Sequence, residues 1–466
     1  MQLTHSRRFC FLLCSSFLVL LLAACGSTGS NGGTTPTTTG STPPSIASVI
    51  SGTTQPGNGV TTAPVPPTLT SCPAAGTARV AIMPSLALNN QQNVVYIVNE
   101  FQAQTPTFGT LKRLDVASGA KIEIVKIAGT SISDAQISAD GQWIVFVSIT
   151  TNQDKLQLVR MDGRALQTLY CASPASNGAY PASALNNIEW SANQQLTAFN
   201  SYTGAGSYLY LLNMRNGSLQ TEISTYSSVI DTPLTWLDNT RLYVNGPEVD
   251  APPQALYILD ITKGVHQNPN NLQMAFDATS VARPTNFCWN ADSNFNGTNL
   301  FTSQCTTTSN PNGPGIGSQI GPSSINIQPA TGGAQQKIFT SQTMAITAVR
   351  SINQNTLLLL INNNSFGTNV DTSQNGLWKV NTNGSGLIRL TTSGAGVSGG
   401  PTLMCQFTQY PWSNVSRDGN MFAIQQNSAN GQTQSLLFGS LSGGTSNTFA
   451  SIAGGTQLSI VGWTTM

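Results

Sequence analysis

The sequence predicts an all-β chain folded as a single β-propeller. Short alternating apolar segments flank seven tight turns that end in glycine, and these glycines recur about every 54 residues, a spacing typical of radially repeated sheets. No long stretch of helical periodicity interrupts the segments. The last apolar segment, Leu458 to Trp463, has no chain after it to complete a blade of its own. We therefore expect four-stranded blades, seven in number with six or eight as alternatives, closed by a C-terminal strand that completes the first blade.

The glycine turns are typical of connections between antiparallel strands. Glycine adopts a positive φ without a steric clash, so such dipeptides fit the turn between the third and fourth strands of a blade. The seven turns are Ser118-Gly119, Asp162-Gly163, Asn216-Gly217, Lys263-Gly264, Gly332-Gly333, Asn383-Gly384 and Gly443-Gly444.

The clearest repeat unit runs from Ile132 to Tyr170. Its inner strand ends at Ile137, a turn follows at residues 138–141, and three further strands complete the blade. We place Trp190, Trp236 and Trp289 at the ends of other inner strands. Large flat rings at equivalent positions are expected to fill the space between adjacent blades.

Three segments resemble the WD40-like repeat of TolB-type propellers: Ile137 to Phe146, Leu158 to Leu169 and Leu377 to Thr391. Val415-Ser-Arg-Asp-Gly repeats the charged turn of the first segment. The resemblance implies a propeller that works through protein contacts. It identifies no site residue, because the shared residues are structural. Propellers of this type usually have six blades, so a count of seven is a departure.

The N-terminus predicts export and lipidation. Arg7 and Arg8 precede an apolar run, and residues 1–24 have the organisation of a signal peptide. Leu22-Ala23-Ala24-Cys25 resembles the lipobox of bacterial lipoproteins. That resemblance implies cleavage before Cys25, its diacylation, and an extracytoplasmic protein anchored to a bacterial membrane. The alternative is an ordinary cleaved signal with an incidental cysteine.

Composition divides the rest of the chain into a linker and a domain. Residues 26–71 contain no charged residue and are dominated by Gly, Ser, Thr and Pro, so we expect residues 25–71 to form a disordered linker. Residues 72–466 are expected to form the propeller. Removing the signal changes 19 basic and 18 acidic residues to 17 and 18. The mature chain has no basic cluster, which argues against a nucleic-acid partner.

Cysteine spacing predicts one disulfide. Asn296-Gly297 is a strong two-residue hairpin turn, and in that register paired positions sum to 593. Cys288 and Cys305 satisfy this sum, so we expect them to form a cross-strand disulfide. The alternative is two buried thiols that pack as small apolar side chains.

The long connections are expected to crowd one face of the disc. The turns between the first and second strands of a blade, and between its third and fourth strands, are short and lie on one face. The connections between the second and third strands, and between blades, are long and lie on the opposite face. We call this opposite face the long-loop face. The long segments are 171–186, 245–254, 265–284, 305–324, 362–375 and 392–410. Long loops in a compact domain are often functional. The candidate binding residues on this face are Tyr180, Tyr202, Glu248, Asp250, Phe276, Arg283, Phe366, Asp371 and Tyr410.

No motif indicates a catalytic, metal or cofactor site. Residues 396–400 match the Gly-x-Ser-x-Gly pattern, but they lie in a glycine-rich loop without the strand and helix that a nucleophile elbow requires. Asp292 begins a partial calcium-loop pattern in which Ser303 occupies the position that needs a glutamate. We therefore predict no catalytic residue, no metal and no cofactor.

The sequence favours a lipid-anchored binding or scaffold module for a protein, peptide or glycan of the cell envelope. The alternative is a propeller enzyme, a polysaccharide hydrolase or lyase, with carboxylates at the mouth of the central channel. A structural envelope protein without a diffusible ligand is a third reading. Two or three carboxylates that converge at the channel mouth would favour the enzyme, and an apolar or aromatic patch would favour binding. Neither the partner nor the oligomeric state follows from the sequence.

Overall fold

The protein is a seven-bladed β-propeller. The structure is a computed structural model that describes residues 68–465, apart from 87–88, 173–184, 204–205, 226–231, 247–254, 264–265, 268–280, 283–287, 294–296, 310–315, 366–369, 392–414 and 428–432. Within the described residues the strands form seven sheets in a ring, and the main strands of each sheet are antiparallel. The predicted fold class and blade number are confirmed.

Blades 1 to 3 are complete four-stranded sheets. The second, third and fourth strands of blade 1 are β1 (Gln92–Gln102), β2 (Thr105–Asp115) and β3 (Lys121–Ala128). Blade 2 consists of β4 (Ser131–Ile137), β5 (Trp143–Ile149), β6 (Asp154–Arg160) and β7 (Gln167–Ala172). Blade 3 consists of β8 (Leu185–Trp190), β9 (Leu196–Thr203), β10 (Gly206–Asn213) and β11 (Leu219–Thr225).

Blades 4 and 5 differ in the length of their strands. Blade 4 consists of β12 (Thr232–Trp236), β13 (Arg241–Gly246) and β14 (Ala255–Asp260), and Ala282 bridges to Leu256 on the outer side of β14. A 3₁₀ turn (Ile261–Lys263) follows, and β15 (His266–Gln267) pairs with β11 of blade 3. Blade 5 consists of β16 (Trp289–Ser293), β17 (Asn299–Ser309), β18 (Ile316–Pro329) and β19 (Gln336–Ser341).

Blades 6 and 7 lead back to the start of the ring. Blade 6 begins with β20 (Ile346–Ser351) and β21 (Thr356–Ile361). After β22 (Asn364–Ser365), which pairs with β18, it continues with β23 (Gly376–Asn381) and β24 (Ile388–Arg389). Blade 7 contains β25 (Met421–Asn427), β26 (Thr433–Ser440) and β27 (Asn447–Ala453), with Val415 bridging to Phe422 at the inner position. The last strand is β28 (Thr456–Thr465).

The C-terminal strand closes the ring. β28 is the inner strand of blade 1, where it pairs antiparallel with β1. Val94 lies opposite Trp463 and Val98 opposite Leu458. This pairing confirms the predicted closure and covers the edge that β1 would otherwise expose.

Among the described residues, seven large apolar clusters each lie between two neighbouring blades, and a small eighth cluster is formed by Cys288, Cys305 and Ala345. Successive side chains of a central strand alternate between the two clusters that flank its blade: Ile144 and Phe146 of β5 face blade 1, whereas Val145 and Val147 face blade 3. Because both faces of a blade are covered, the central strands β5 and β21 are nearly continuous apolar runs.

The tryptophans pack between blades as predicted, although one position is wrong. Trp190, Trp236 and Trp289 belong to the clusters between blades 2 and 3, 3 and 4, and 4 and 5. Trp289, however, begins β16 instead of ending it. The residue of blade 5 that corresponds to Trp190 is Ser293, because Ser293 pairs with Leu300 as Trp190 pairs with Thr197.

Side-chain hydrogen bonds stabilise the recurrent turn between the first and second strands. In blade 2, Trp143 N donates to Ser138 Oγ, and Ser138 Oγ donates to Asp140 Oδ1. Ser191 with Asn193 in blade 3, and Ser416 with Asp418 in blade 7, repeat this arrangement. The Ser-x-Asp/Asn pattern is therefore a turn device and carries no chemistry of its own.

Candidate functional site

Most of the predicted binding-face residues lie outside the described part of the chain. These are Tyr180, Glu248, Asp250, Phe276, Arg283, Phe366 and Tyr410, and Cys25 lies outside it as well. Tyr202 lies in β9 and not in a loop, because only residues 204–205 separate β9 from β10. Asp371 is exposed, and hydrogen bonds from the Ser373 hydroxyl and backbone N–H lower the pKa of its carboxyl.

A projecting β-hairpin occupies the long-loop face of blade 5. The interpretation of residues 305–324 as a loop is wrong, since β17 and β18 stay paired as far as Ser309 and Ile316. Thr306, Thr307 and Thr308 are β-branched and favour extended backbone, which explains the longer strands. β22 of blade 6 pairs with the returning strand at Ser318 and Gln319, so the hairpin is fastened to the neighbouring blade.

The predicted hairpin register of blade 5 is confirmed. Trp289 lies opposite Gln304 and Asn290 opposite Ser303, so paired positions sum to 593. Directly beyond this ladder, a disulfide joins Cys288 and Cys305 at the base of the projecting hairpin. Both cysteines are buried.

Hydrogen-bonded residues of the connection between β21 and β23 in blade 6 lie beside the hairpin on the same face. The Asn363 and Asn375 side chains bond to each other's backbone: Asn363 N donates to Asn375 Oδ1, and Asn375 Nδ2 donates to Asn363 O. Asn363 Nδ2 also donates to Asp371 O. The Arg389 guanidinium donates to Ser373 O and lies 5.5 Å from the Trp378 ring. These bonds join the two described ends of the connection to each other and to blade 6.

The N-terminal segment is attached to the outer edge of blade 2. Leu69 forms a parallel bridge with Gln167 at the start of β7, ahead of the predicted domain boundary at residue 72. A second disulfide, which the sequence analysis missed, joins Cys72 to Cys171 near the end of β7. The chain then returns between blades 2 and 3, where Ala81 N donates to Met214 O. Cys72 belongs to no blade repeat, so no register pointed to its partner.

Charged and amide side chains occupy one register position on several inner strands. Gln136 pairs with Val145, Glu189 with Ala198, Asp292 with Phe301 and Arg350 with Leu358, and each precedes the last paired residue of its inner strand. Asp134 and Asn290 lie two residues earlier. We call these six residues the axial cluster. The structure thus brings together carboxylates from blades 2, 3 and 5, as the enzyme alternative requires, although most of the cluster is buried.

Part of the axial cluster fastens one inner strand to the next. Asp134 Oδ2 accepts from Ile188 N at 2.8 Å, and Gln136 Oε1 accepts from Trp190 N. Blades 5 and 6 repeat the arrangement: Asn290 Oδ1 accepts from Val349 N at 3.1 Å, and Asp292 Oδ2 accepts from Ser351 N at 2.7 Å. These bonds satisfy backbone N–H groups at the edge of the neighbouring sheet. Asp292 therefore serves in an inner strand and not in a calcium loop.

Burial sets the electrostatics of the axial cluster. It raises the pKa of Glu189 well above its usual value, and the charges of Asp134 and Asp292 raise that pKa further. It also raises the pKa of Asp134, and that of Asp292 to about 6 despite the opposing effect of Arg350. The Arg350 pKa is lowered by burial, while Asp292 and Glu189 raise it. A neutral Glu189 can donate a proton or a hydrogen bond.

The sequence alone does not reveal the axial cluster, because each of its residues has an ordinary local sequence context. Glu189 precedes Trp190, and Asp292 lies within the pattern considered for calcium. The signal was available in the alignment of blades, where polar residues recur one position before the end of inner strands. No group of three or more His, Cys, Asp and Glu side chains among the described residues is arranged to hold a metal ion.

Comparisons with known proteins extend to the fold alone. No family model matches the sequence, and no curated protein matches it. Among solved structures, the β-propeller domain of the Trilobed protease from Pyrococcus furiosus is 9% identical, with a TM-score of 0.47 over 81% of this chain and 96% of that one. The periplasmic gluconolactonase PpgL of Pseudomonas aeruginosa is 12% identical, with a TM-score of 0.47 over 79% of this chain and 99% of that one. TolB from Acinetobacter baumannii is 11% identical, with a TM-score of 0.39 over 75% and 78% of the two chains. TolB-type propellers are thus among the structural neighbours of this chain.

Proposed function

We propose that this protein is a lipid-anchored extracytoplasmic module that binds a protein, peptide or glycan partner of the cell envelope through its long-loop face. The observation that carries the proposal is the blade 5 hairpin, which projects from that face and is fastened by β22 and by the disulfide at its base. A rigid projecting element gives a partner a surface that needs no further ordering on binding.

Two disulfides support a location outside the cytoplasm. Cys72–Cys171 and Cys288–Cys305 are formed in the structure. Structural disulfides persist in oxidising compartments and are rare in the cytosol. The signal peptide and the lipobox ending in Cys25 lead to the same location and supply the anchor.

The path of the N-terminal segment supports an outward orientation of the long-loop face. Leu69 lies beside Gln167, which begins β7 directly after the short turn that contains Gly163. The chain therefore reaches the domain at the tight-turn face. A linker of 46 residues from an anchored Cys25 would arrive at that face, with a root-mean-square reach of roughly 35–40 Å. The hairpin would then point away from the membrane.

The test is affinity capture from native envelopes with a hairpin variant. Residues 308–318 are replaced by Asn-Gly, which shortens the hairpin beyond the disulfide and keeps the pairing of Thr307 with Gln319. The matched control, Ala117→Glu with Ala120→Glu, alters exposed residues on the tight-turn face. We expect the hairpin variant to lose partners that the control retains. Equal recovery by all three proteins would overturn the proposed binding face.

One observation favours the enzyme alternative as a second candidate. Asp134, Glu189 and Asp292 interact electrostatically, and Glu189 has the raised pKa that a general acid requires. Glycosidic bond cleavage commonly uses such carboxyl groups. The measurement is release of reducing or unsaturated ends from envelope polysaccharides by the wild type and by Glu189→Gln. Absence of turnover by the wild type, or equal turnover by both, would remove this candidate.

A further inference from the structure

The axial cluster contains buried polar atoms whose hydrogen bonds are unmade. Within the described part of the chain, Arg350 Nε, Arg350 Nη2, Asn290 Nδ2 and Glu189 Oε1 are inaccessible and have no hydrogen-bond partner. Glu189 and Asn290 are completely buried, and Arg350 is 7% exposed. Leaving such groups unpaired is costly, so each one calls for an explanation.

The free atoms of Arg350 form one edge of its guanidinium group. Nη1 is already engaged, since it donates to Asn290 Oδ1 and to Val349 O, each at 2.8 Å. Nε and Nη2 remain, and these two parallel N–H groups match the two oxygens of a carboxylate. The bond from Nη1 to Asn290 Oδ1 places the Asn290 amide, with its unpaired Nδ2, beside the Arg350 guanidinium.

Within the residues that the structure describes, no acceptor pairs with this edge. Glu189 lies in blade 3 and Arg350 in blade 6, on opposite sides of the ring, and their charges interact without a hydrogen bond between them. Glu189 Oε2 accepts from Gln136 Nε2 at 3.2 Å and thus turns part of its carboxyl toward blade 2. The axial cluster has three unpaired donors (Arg350 Nε, Arg350 Nη2 and Asn290 Nδ2) and one unpaired acceptor (Glu189 Oε1). A molecule that pairs with most of these atoms must therefore supply hydrogen-bond acceptors.

We propose that the axial cluster is a binding site for one compact carboxylate, held by the Nε and Nη2 edge of Arg350 and by Asn290 Nδ2. Glu189 closes the site from the opposite side of the channel. Burial raises the pKa of its carboxyl, which favours the protonated form, and that form can donate a hydrogen bond to the ligand. This site is distinct from the long-loop face and does not depend on partner binding there.

The least buried member of the axial cluster lies on the side of the long-loop face. Inner strands run from that face toward the tight turns, and Asp134 precedes Gln136 along β4. Asp134 is the half-buried member of the cluster, whereas Gln136, Glu189, Asn290, Asp292 and Arg350 are buried. We therefore expect a ligand to enter on this side, past Asp134.

Ligand affinity is expected to fall as the pH rises. The groups that face the site are the carboxyls of Asp134, Glu189 and Asp292 and the guanidinium of Arg350, and Tyr243 lies near Asp292. Each carboxyl that ionises adds a negative charge that repels a bound anion. Binding should therefore be accompanied by proton uptake, and it should be tighter near pH 6 than near pH 8.

The experiment is calorimetric titration of the folded protein with acetate and with acetamide, its uncharged counterpart of similar shape. We expect saturable acetate binding, at least about tenfold tighter than acetamide binding, because only the anion forms charge-assisted bonds to both N–H groups. Arg350→Lys retains the charge but lacks the paired N–H edge, and it should weaken acetate binding at least about tenfold. Arg160→Lys is the matched control, since Arg160 is also buried but bonds to Asp162.

Each outcome decides the proposal. Acetate binding that requires Arg350 and persists in Arg160→Lys supports it. Absence of acetate binding to the wild type, or binding that Arg350→Lys leaves unchanged, overturns it. If Arg350→Lys fails to fold, the Nε–H resonance of Arg350 in the wild type decides: a saturable shift with acetate and none with acetamide supports the site, and an unchanged resonance overturns it.

Discussion

At the scale of single residues, the carboxyl groups of the axial cluster have two opposing effects on stability. They form hydrogen bonds that hold neighbouring blades together, and their negative charge is unfavourable in a buried position. Asp134 and Asp292 accept backbone hydrogen bonds from the next blade, which a neutral amide would also do. Their negative charge is therefore not needed for the fastening, and burial makes it costly. The effect of the negative charge on stability can therefore be measured separately from the effect of the hydrogen bond.

Asp292 should make the protein less stable as the pH rises. Its folded pKa of about 6 exceeds the ordinary value of 3.8, so the native state binds the extra proton. Asp292 alone should lower the free energy of unfolding by about 3 kcal/mol as the pH rises from about 4 to about 6. Asp292→Asn keeps the acceptor for Ser351 N and should lose this contribution, while those of Glu189 and Asp134 remain.

Urea unfolding from about pH 4 to about pH 8 measures this effect. Asp371→Asn is the control, because Asp371 is exposed and its pKa is lowered instead of raised. It should keep the fall seen in the wild type. An Asp292→Asn curve parallel to that of the wild type would contradict the prediction.

Gly384 should tolerate alanine far less well than Gly119. Both have positive φ, 83° and 71°, so alanine is strained at either position by about 1–2 kcal/mol. A Cβ at Gly384 would also overlap the Ile338 carbonyl oxygen of blade 5, whereas a Cβ at Gly119 meets open space. We expect Gly384→Ala to lower the free energy of unfolding by at least about 2 kcal/mol more than Gly119→Ala does. Equal losses in urea unfolding would show that the two blades separate easily at this turn.

At the scale of elements, the two disulfides close very different loops. Their sequence separations are 99 residues for Cys72–Cys171 and 17 for Cys288–Cys305. A longer loop restrains the unfolded chain more, and the chain-entropy model gives about 4.7 kcal/mol for a 100-residue loop against about 3 kcal/mol for one of 15. Replacing both cysteines of a pair by serine should therefore cost more stability at Cys72 and Cys171, as measured by urea unfolding. A larger loss for the shorter loop would contradict the entropic account.

Strands could be predicted where the pattern of neighbouring residues determines them. They were harder to predict where that pattern is weak or where distant segments pair. Alternating apolar residues and glycine turns predict the strands of the blades, and the Asn296-Gly297 turn predicts the register of β16 and β17. The sequence pattern predicts a loop where blade 5 has its long strands. Threonine and serine carry no apolar alternation, although their backbone is extended here. The bridge of Leu69 to β7 and the Cys72–Cys171 disulfide join segments far apart in sequence, which no local pattern reports.

The candidate site was harder to predict than the fold. The axial cluster depends on which inner strands lie across the channel from each other, and that follows only once the blade number and register are known. Glu189 and Arg350 are 161 positions apart (350 minus 189) and face each other only because blades 3 and 6 lie opposite in the ring.

At the scale of the whole molecule, stability depends on β28. It supplies the inner strand of blade 1, and Trp463 is buried between blades 7 and 1. A chain that ends at residue 455 should lack a cooperative unfolding transition, because it exposes the edge of β1 and opens the ring. Adding a peptide of residues 456–466 should restore the transition, as followed by tryptophan fluorescence in urea. Cooperative unfolding of the truncated chain at the wild-type midpoint would show that closure is dispensable.

The late position of β28 also sets an order of events during biosynthesis. A ribosome or a secretion channel releases residues in sequence, and the partner of β1 is the last strand to emerge. Until then blade 1 has three strands and the disc stays open. Closure of the ring therefore waits until β28 has emerged, after every other described strand of the propeller.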